Sequence, residues 1–239
     1  MLREVTGQLT ALKLGHMARG LERWLENPAN AERSPLECVA AMVATHQQMK
    51  STVRVEDFLS ASGLPPHLTL GAFDLQRTRG LSRPRFAALR TLAWLEMGHN
   101  LIVTGGPSTG KRHLAGGLAV EAVRRGWSAR YVQVADLLRQ RDLALHRGNP
   151  DQLFTRMIRP ALLVLDGFAD MPTLATETAW LRRIVVRRAT LKRPIIVTSR
   201  HAPKGWGQYL EGLSVADAVI GELKRGAEAI RLQRRSTAI

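Results

Sequence analysis

The sequence predicts an α/β fold: a parallel sheet covered by helices, preceded by a small all-helical N-terminal region. Three observations predict it. From about residue 100 onward, short apolar runs alternate with helical patterns, and strands separated by helices form a parallel sheet buried on both faces. A glycine-rich turn, Gly105 to Gly110, lies between one apolar run and one helical pattern. Before residue 65 the spacing is helical only. The expected division is a helical region over 1–75 and a sheet domain over 76–239.

Taken in order, Val5, Leu9, Leu12, Met17, Leu21 and Trp24 recur at helical spacing, so residues 1–27 read as one amphipathic helix closed by Asn27-Pro28. Ser34-Pro35-Leu36-Glu37 starts a second helix, with Ser34 as cap, Pro35 at the first helical position and Glu37 completing a capping box. A further helical stretch, Val53–Ala61, is closed by Gly63 and Pro65-Pro66. Residues 65–82 read as a connector rich in Pro, Gly and Arg. Helix is expected over 84–97, 111–125, 136–146, 174–191 and 215–225. Strand is expected over 100–104, 130–134, 162–166 and 194–199. The closing stretch, 231–239, is basic and reads as frayed.

The 239 residues carry 35 Lys and Arg against 20 Asp and Glu, a formal charge of +15. Residues 1–100 hold 12 basic and 9 acidic side chains, whereas residues 101–239 hold 23 and 11. So large a positive surface attracts polyanions, with nucleic acid the expected partner and an acidic protein or a solubilising surface the alternatives. Cys38 is the only cysteine, which excludes a disulfide or a cysteine-based metal site within one chain; it reads as a small core residue. No apolar run approaches the ~20 residues of a membrane span and no signal peptide is visible, so a cytoplasmic location is expected.

The turn carries the chemistry. In Gly105-Gly106-Pro107-Ser108-Thr109-Gly110-Lys111, the two outer glycines and the lysine have the spacing of the phosphate-binding G-x-x-x-x-G-K-[ST] loop. A strand before it and a helix after it let backbone N–H groups and a helix N-terminus converge on phosphate oxygens, with Lys111 reaching the terminal phosphates. The next position departs from the pattern. Arg112 stands where Ser or Thr would ligate Mg²⁺, and an arginine offers donors only. Its guanidinium either lies over the phosphates or points away.

A second element is the apolar run Ala161–Leu165 ending in Asp166, a carboxylate placed to hold a metal's hydration shell. The carboxylate that would follow it, to orient an attacking water, is replaced by Gly167, which cannot act as a base. Asp170 is a conceivable substitute; a solvated loop residue is the alternative.

These residues resemble one family, the IstB-like helper ATPases of bacterial insertion sequences, relatives of DnaC-type helicase loaders. The family's GPPGTGKTHLA is matched by Gly105–Ala115, and its LLIIDELGYLP by Leu162–Pro172. Its TSN strand end with a following Trp is matched by Thr198-Ser199-Arg200 and Trp206, and its N-terminal opening by Leu9–Gly15 and Arg19–Leu25. The resemblance implies an AAA-type P-loop domain that binds ATP through Gly105, Gly106, Pro107, Ser108, Thr109, Gly110, Lys111 and Arg112. It also implies ATP-dependent homo-oligomers on double-stranded DNA, and a transposase or replicative helicase met through the N-terminal region. The stretch 130–157 would include a helical insertion that tracks DNA, with Arg139, Arg141, Arg147 and Arg156 placed for phosphate contacts or on a solvated face.

The departures from the family fall at catalytic positions. Besides Arg112 and Gly167, Arg200 replaces a polar sensor Asn, and Glu222 stands where the trans-acting arginine finger aligns. Negative charge there repels a neighbour's γ-phosphate. The pattern implies a degenerate ATPase, with Asp166 to position any metal and the Mg²⁺ itself in doubt. Arg182-Arg183 and Arg187-Arg188 punctuate an apolar helix and read as a DNA or subunit contact, or as a solvated face.

Overall fold

The computed structural model describes residues 1–62, 64, 68–76 and 78–234. The chain divides into two compact units, Met1–Asp57 and Phe58–Ile239. Residues 58–75, expected with the helical region, group with the sheet unit.

In the first unit the single helix expected over 1–27 is two, α1 (Leu2–Ala11) and α2 (Gly15–Glu26), which pack on each other. The chain turns at Leu12–Leu14, where Lys13 takes a left-handed φ of 62°. Helix α3 (Pro35–Ser62) opens on the expected capping box. The Ser34 amide donates to Glu37 Oε2 at 2.8 Å, and the Glu37 amide donates to Ser34 Oγ at 3.3 Å. α3 runs unbroken through the separate stretch expected at Val53–Ala61. Gly63, Pro65 and Pro66, expected to close it, lie outside the described residues. A Cβ on Gly20 would fall 3.0 Å from Met42 Cα, so α2 and α3 cross at close range because that position has no side chain.

After the end of α3, the second unit contains a 3₁₀ turn (Leu70–Ala72), a short strand β1 (Thr78–Arg79), and helices α4 (Arg83–Thr91) and α5 (Ala93–Glu96). The pair α4 and α5 replaces one expected helix, because Leu92 between them is left-handed, φ 64°. Then come β2 (Leu101–Thr104), α6 (Lys111–Arg124), β3 (Ala129–Gln133), α7 (Val134–His146), α8 (Pro150–Ile158), β4 (Leu162–Asp166), α9 (Ala175–Thr190), β5 (Ile195–Ser199), α10 (Leu213–Lys224), β6 (Glu228–Arg231) and β7 (Gln233–Arg234). β7 pairs antiparallel with β1. The main sheet has the order β3-β4-β5-β2-β6, and every pairing in it is parallel. Of the stretch expected to fray, Arg231, Gln233 and Arg234 are in strands; 235–239 lie outside the described residues. No described helix is long and apolar enough to cross a membrane.

β2 and β5 are buried along their whole length, as continuous apolar runs should be when helices cover both faces. Beneath the strand ends, Phe168 meets Trp206 edge to face at 4.9 Å, both fully buried. This core fixes the carboxyl ends of β2, β4 and β5 side by side. In an open parallel sheet that edge is where ligands bind.

One residue of the basic helix departs from the reading as a contact surface. Arg187 is exposed, but Arg188 is fully buried. Its guanidinium donates to Met157 O (2.8 Å), Pro160 O (2.9 Å), Ala161 O (3.1 Å) and Pro194 O (2.8 Å). It thus caps the carbonyl end of α8 and ties that end to the starts of β4 and β5. Burial, with Arg193 adding like charge, lowers its pKa from the usual arginine value. The carbonyl bonds are what make a buried cation tolerable. Arg188→Met should therefore destabilise the chain by about 3 kcal/mol or more in denaturant unfolding, whereas Arg187→Ala should cost under about 0.5 kcal/mol.

Candidate functional site

The Gly105–Gly110 loop leaves the end of the central strand β2 and returns as the first turn of α6. Its shape needs specific residues. Gly105 has φ 151° and Gly110 φ 90°, while Ser108 takes a left-handed φ of 55°. A Cβ on Gly105 would lie 2.2 Å from the Leu232 carbonyl oxygen, and one on Gly110 would lie 3.1 Å from Phe73 Cε2. Thr109 Oγ1 donates to Gly106 O at 2.9 Å and braces the loop from within. The first-turn amides of α6 have no intrahelical acceptor, so they face the loop's concavity as donors. Lys111 Nζ donates to the carbonyls of Gly105 and Gly106, both at 2.7 Å, which holds the ammonium over the loop. Burial lowers the lysine's pKa, against the opposing pull of Asp170 and then Asp166.

A cavity of about 470 Å³ opens beside this loop, lined by Leu68, Thr109, Lys111, Arg112, His113 and Asp166 among others. The wall nearest α6 comes from the stretch expected as a connector. Gly116 and Gly117 let it lie flat on that helix: Cβ atoms there would stand 3.1 Å from Leu68 Cδ2 and 2.7 Å from Leu70 Cδ2. His113 Nε2 donates to Thr69 O at 2.8 Å, and Phe73 stacks on Phe86 at 5.5 Å with His113 edge-on at 5.6 Å. An apolar wall beside a cationic phosphate cradle suits a nucleotide, and the volume is of the right order.

The metal position is different. Asp166 at the end of β4 is a carboxylate with its acceptors taken. Thr198 Oγ1 donates to Oδ1, while Oδ2 accepts from Tyr131 Oη at 2.5 Å and from Arg112 Nε at 3.1 Å. Arg112 Nε also meets Tyr131 Oη at 3.1 Å, so the three side chains close a triangle. Burial, reinforced by the Asp166 charge, pushes the tyrosine's pKa up and keeps the phenol a donor. Burial opposes the Arg112 charge, but Tyr131 and Asp166 outweigh it and raise its pKa. Arg112 therefore does not point away: its Nε lies on the carboxylate that a Mg²⁺ would need. Among the described residues no group of three or more His, Cys, Asp or Glu could hold a metal. The residues present do not fit Mg²⁺.

The position after Asp166 carries no carboxylate. Gly167 has φ 76°, a conformation that disfavours any side chain, and its amide donates to Thr198 Oγ1 at 3.1 Å. Asp170 is committed elsewhere. It accepts from Ser199 Oγ (3.2 Å) and the Arg200 amide (2.7 Å), and pairs with Arg200 Nε at 3.3 Å. Trp206 Nε1 donates to Ser199 Oγ at 3.0 Å, so the family-like tryptophan anchors this strand end. Glu222 on α10 pairs with Arg225 one turn on, at 3.1 Å.

The four arginines on α7, on α8 and in the turn between them are unequal. Arg139 is exposed and paired with Asp136; Arg141 is mostly covered, its side chain 12% exposed, and paired with Asp142. Arg147 and Arg156 are exposed and line one cavity of about 160 Å³ with Gln140, Asn149 and Gln152. Half-buried Arg130 beside Arg156 has its pKa lowered by burial and then by that like charge. The α7–α8 corner thus gathers cations without equal acids.

The sequence model of the IstB-like ATP-binding proteins matches residues 7–238. The chain belongs to that family. An insertion-sequence IS21-like ATP-binding protein of Bacteroides fragilis is 28% identical over 224 residues, 92% of this chain and 84% of that relative. Among solved structures, the replication initiator DnaA bound to AMPPCP and single-stranded DNA matches with a TM-score of 0.61 and 19% identity, over 72% of this chain and 51% of that one. DnaI matches with a TM-score of 0.60 and 19% identity, over 70% of this chain and 92% of its own. The fold is that of the P-loop NTPases, as the sequence predicts.

The loop's tolerance can be tested directly. Gly105→Ala should lower stability by about 2 kcal/mol in denaturant unfolding, because its Cβ meets backbone that must shift, while Gly106→Ala, whose Cβ meets open space, should stay within about 0.5 kcal/mol.

Proposed function

We propose that this IstB-like chain binds ATP without efficient hydrolysis and binds double-stranded DNA in support of transposition. The observation that carries the reading is the contrast within one site: the loop, its strained residues and Lys111 are assembled for an anion, while Arg112 lies on Asp166. Gly105 to Lys111 hold the phosphates. Cleavage fails at the next steps. Gly167 offers no base and Asp170 is held by Ser199 and Arg200, so no carboxylate orients a water. Losses of this kind typically cost orders of magnitude in rate.

DNA is bound through its phosphates, chiefly by Arg147 and Arg156 at the α7–α8 corner, with Arg139 beside them. Arg141, covered and paired, contributes little. The formal charge of +15 supports the same reading. Bound ATP promotes assembly of copies along the duplex in the cytoplasm, and the N-terminal helical region, residues 1–75, recruits the transposase. The alternative is a loader-like chain whose N-terminal region meets a replicative helicase. The likeness to DnaI supports only the shared fold.

The full chain should bind a fluorescent ATP analogue saturably and release no phosphate above the protein-free control, with or without duplex DNA; DNA-stimulated release would overturn the hydrolysis-deficient reading. Separately, the Arg147→Ala, Arg156→Ala double variant should weaken duplex binding evenly across sequences and reduce the salt slope by about 1 to 2 in a fluorescence-anisotropy titration.

A further inference from the structure

We propose that Arg112 is a built-in substitute for the divalent cation. Its guanidinium bridges Asp166 to the terminal phosphates, so the pocket takes nucleoside triphosphate free of metal and Mg²⁺ hinders binding. This rests on the reading of the loop as a nucleotide site and adds which ionic form of the nucleotide the site selects.

The argument is one of position and donor count. Arg112 is the first residue after the phosphate-loop lysine, in the opening turn of α6, so its side chain starts beside the phosphates. It is anchored by one nitrogen only: Nε serves both Tyr131 and Asp166. Among the described residues its two terminal nitrogens bond to nothing, and the side chain is 54% exposed at the cavity that Thr109 and Lys111 line. A guanidinium presents donors along two edges of a rigid plane. With one edge on a carboxylate, the other remains free for phosphate oxygens, and both contacts are charge-assisted. A metal in a conventional site joins the same two partners, carboxylate and phosphate. Here the arginine can join them without leaving its anchor.

Electrostatics gives the sign of the metal effect. A Mg²⁺ entering beside Asp166 would compete for a carboxylate that already accepts from Arg112, Tyr131 and Thr198. It would then sit among the positive charges of Arg112 and Lys111, repelled by both. In solution, Mg²⁺ also converts the nucleotide to a less anionic complex that these two cations attract less. Both effects oppose binding.

The test titrates N-methylanthraniloyl-ATP into the full chain in EDTA and in excess Mg²⁺, for the natural protein and for Arg112→Thr, with folding checked by thermal unfolding. The natural protein should bind more tightly in EDTA than in excess Mg²⁺. Arg112→Thr, which restores a hydroxyl ligand and removes the cation, should lose roughly tenfold or more in EDTA and recover in Mg²⁺. A natural protein that binds as tightly or more tightly with Mg²⁺ overturns the proposal, whether or not the variant folds. So does a folded Arg112→Thr variant with unchanged affinity in both buffers. Absence of binding by the natural protein in either buffer is a different failure: the nucleotide reading of the loop falls, and this proposal with it.

Discussion

The carboxylate of Asp166 is the electrostatic hinge of the molecule. It accepts hydrogen bonds from side chains on α6, β3 and β5, so four elements meet on one negative charge. Hydrogen bonds to an ionised group contribute roughly 1.5–3 kcal/mol each, more than neutral ones. The charge is 12% exposed and needs a cation beside it. In a P-loop site with Ser or Thr after the lysine, a metal supplies that cation. Here the chain supplies it covalently from the next helix. The same contact therefore stabilises the strand ends and sets what the cavity can receive.

Much of the sheet was legible because burial on both faces forces its strands into continuous apolar runs. Leu162–Asp166 is found as read, and Ile195–Ser199 within one residue. β6 escaped notice since Glu228-Ala229-Ile230-Arg231 buries only Ile230 fully and lies at the sheet's edge. α8 was passed over within a longer charged stretch, although Asn149-Pro150 is a readable helix start. The breaks at Lys13 and Leu92 carry no sequence signal, because both residues are left-handed without being Gly, Asn or Asp.

The site was legible in parts that are local in sequence and illegible where it depends on register. The loop and Asp166 follow from spacing. Tyr131 does not, because its place opposite Arg112 arises from pairing of Gln133 with Asp166 across β3 and β4, which sets Tyr131 two residues back on the same face. Thr198 is placed in the same way by β5. Arg188 shows the converse error. A pair of arginines in a helix looks like surface, yet the period of the helix turns one outward and the other onto the carbonyls at the end of α8.

A nucleotide that is bound and not cleaved does a different job from one that is consumed. Turnover lets a P-loop protein assemble and then release; binding alone shifts an equilibrium by its differential affinity for two states, and the shift persists as long as the ligand does. The arrangement at Asp166 fits the second case. Arg112 and Tyr131 both donate to the carboxylate, so the strand ends are held together by the chain's own side chains. On the proposed reading, nucleotide adds charge compensation for Lys111 and the free edge of Arg112, together with cover for the apolar wall at Leu68. An effect of nucleotide on assembly would then pass through α6, where the side chains of Leu68 and Leu70 pack directly on Gly116 and Gly117.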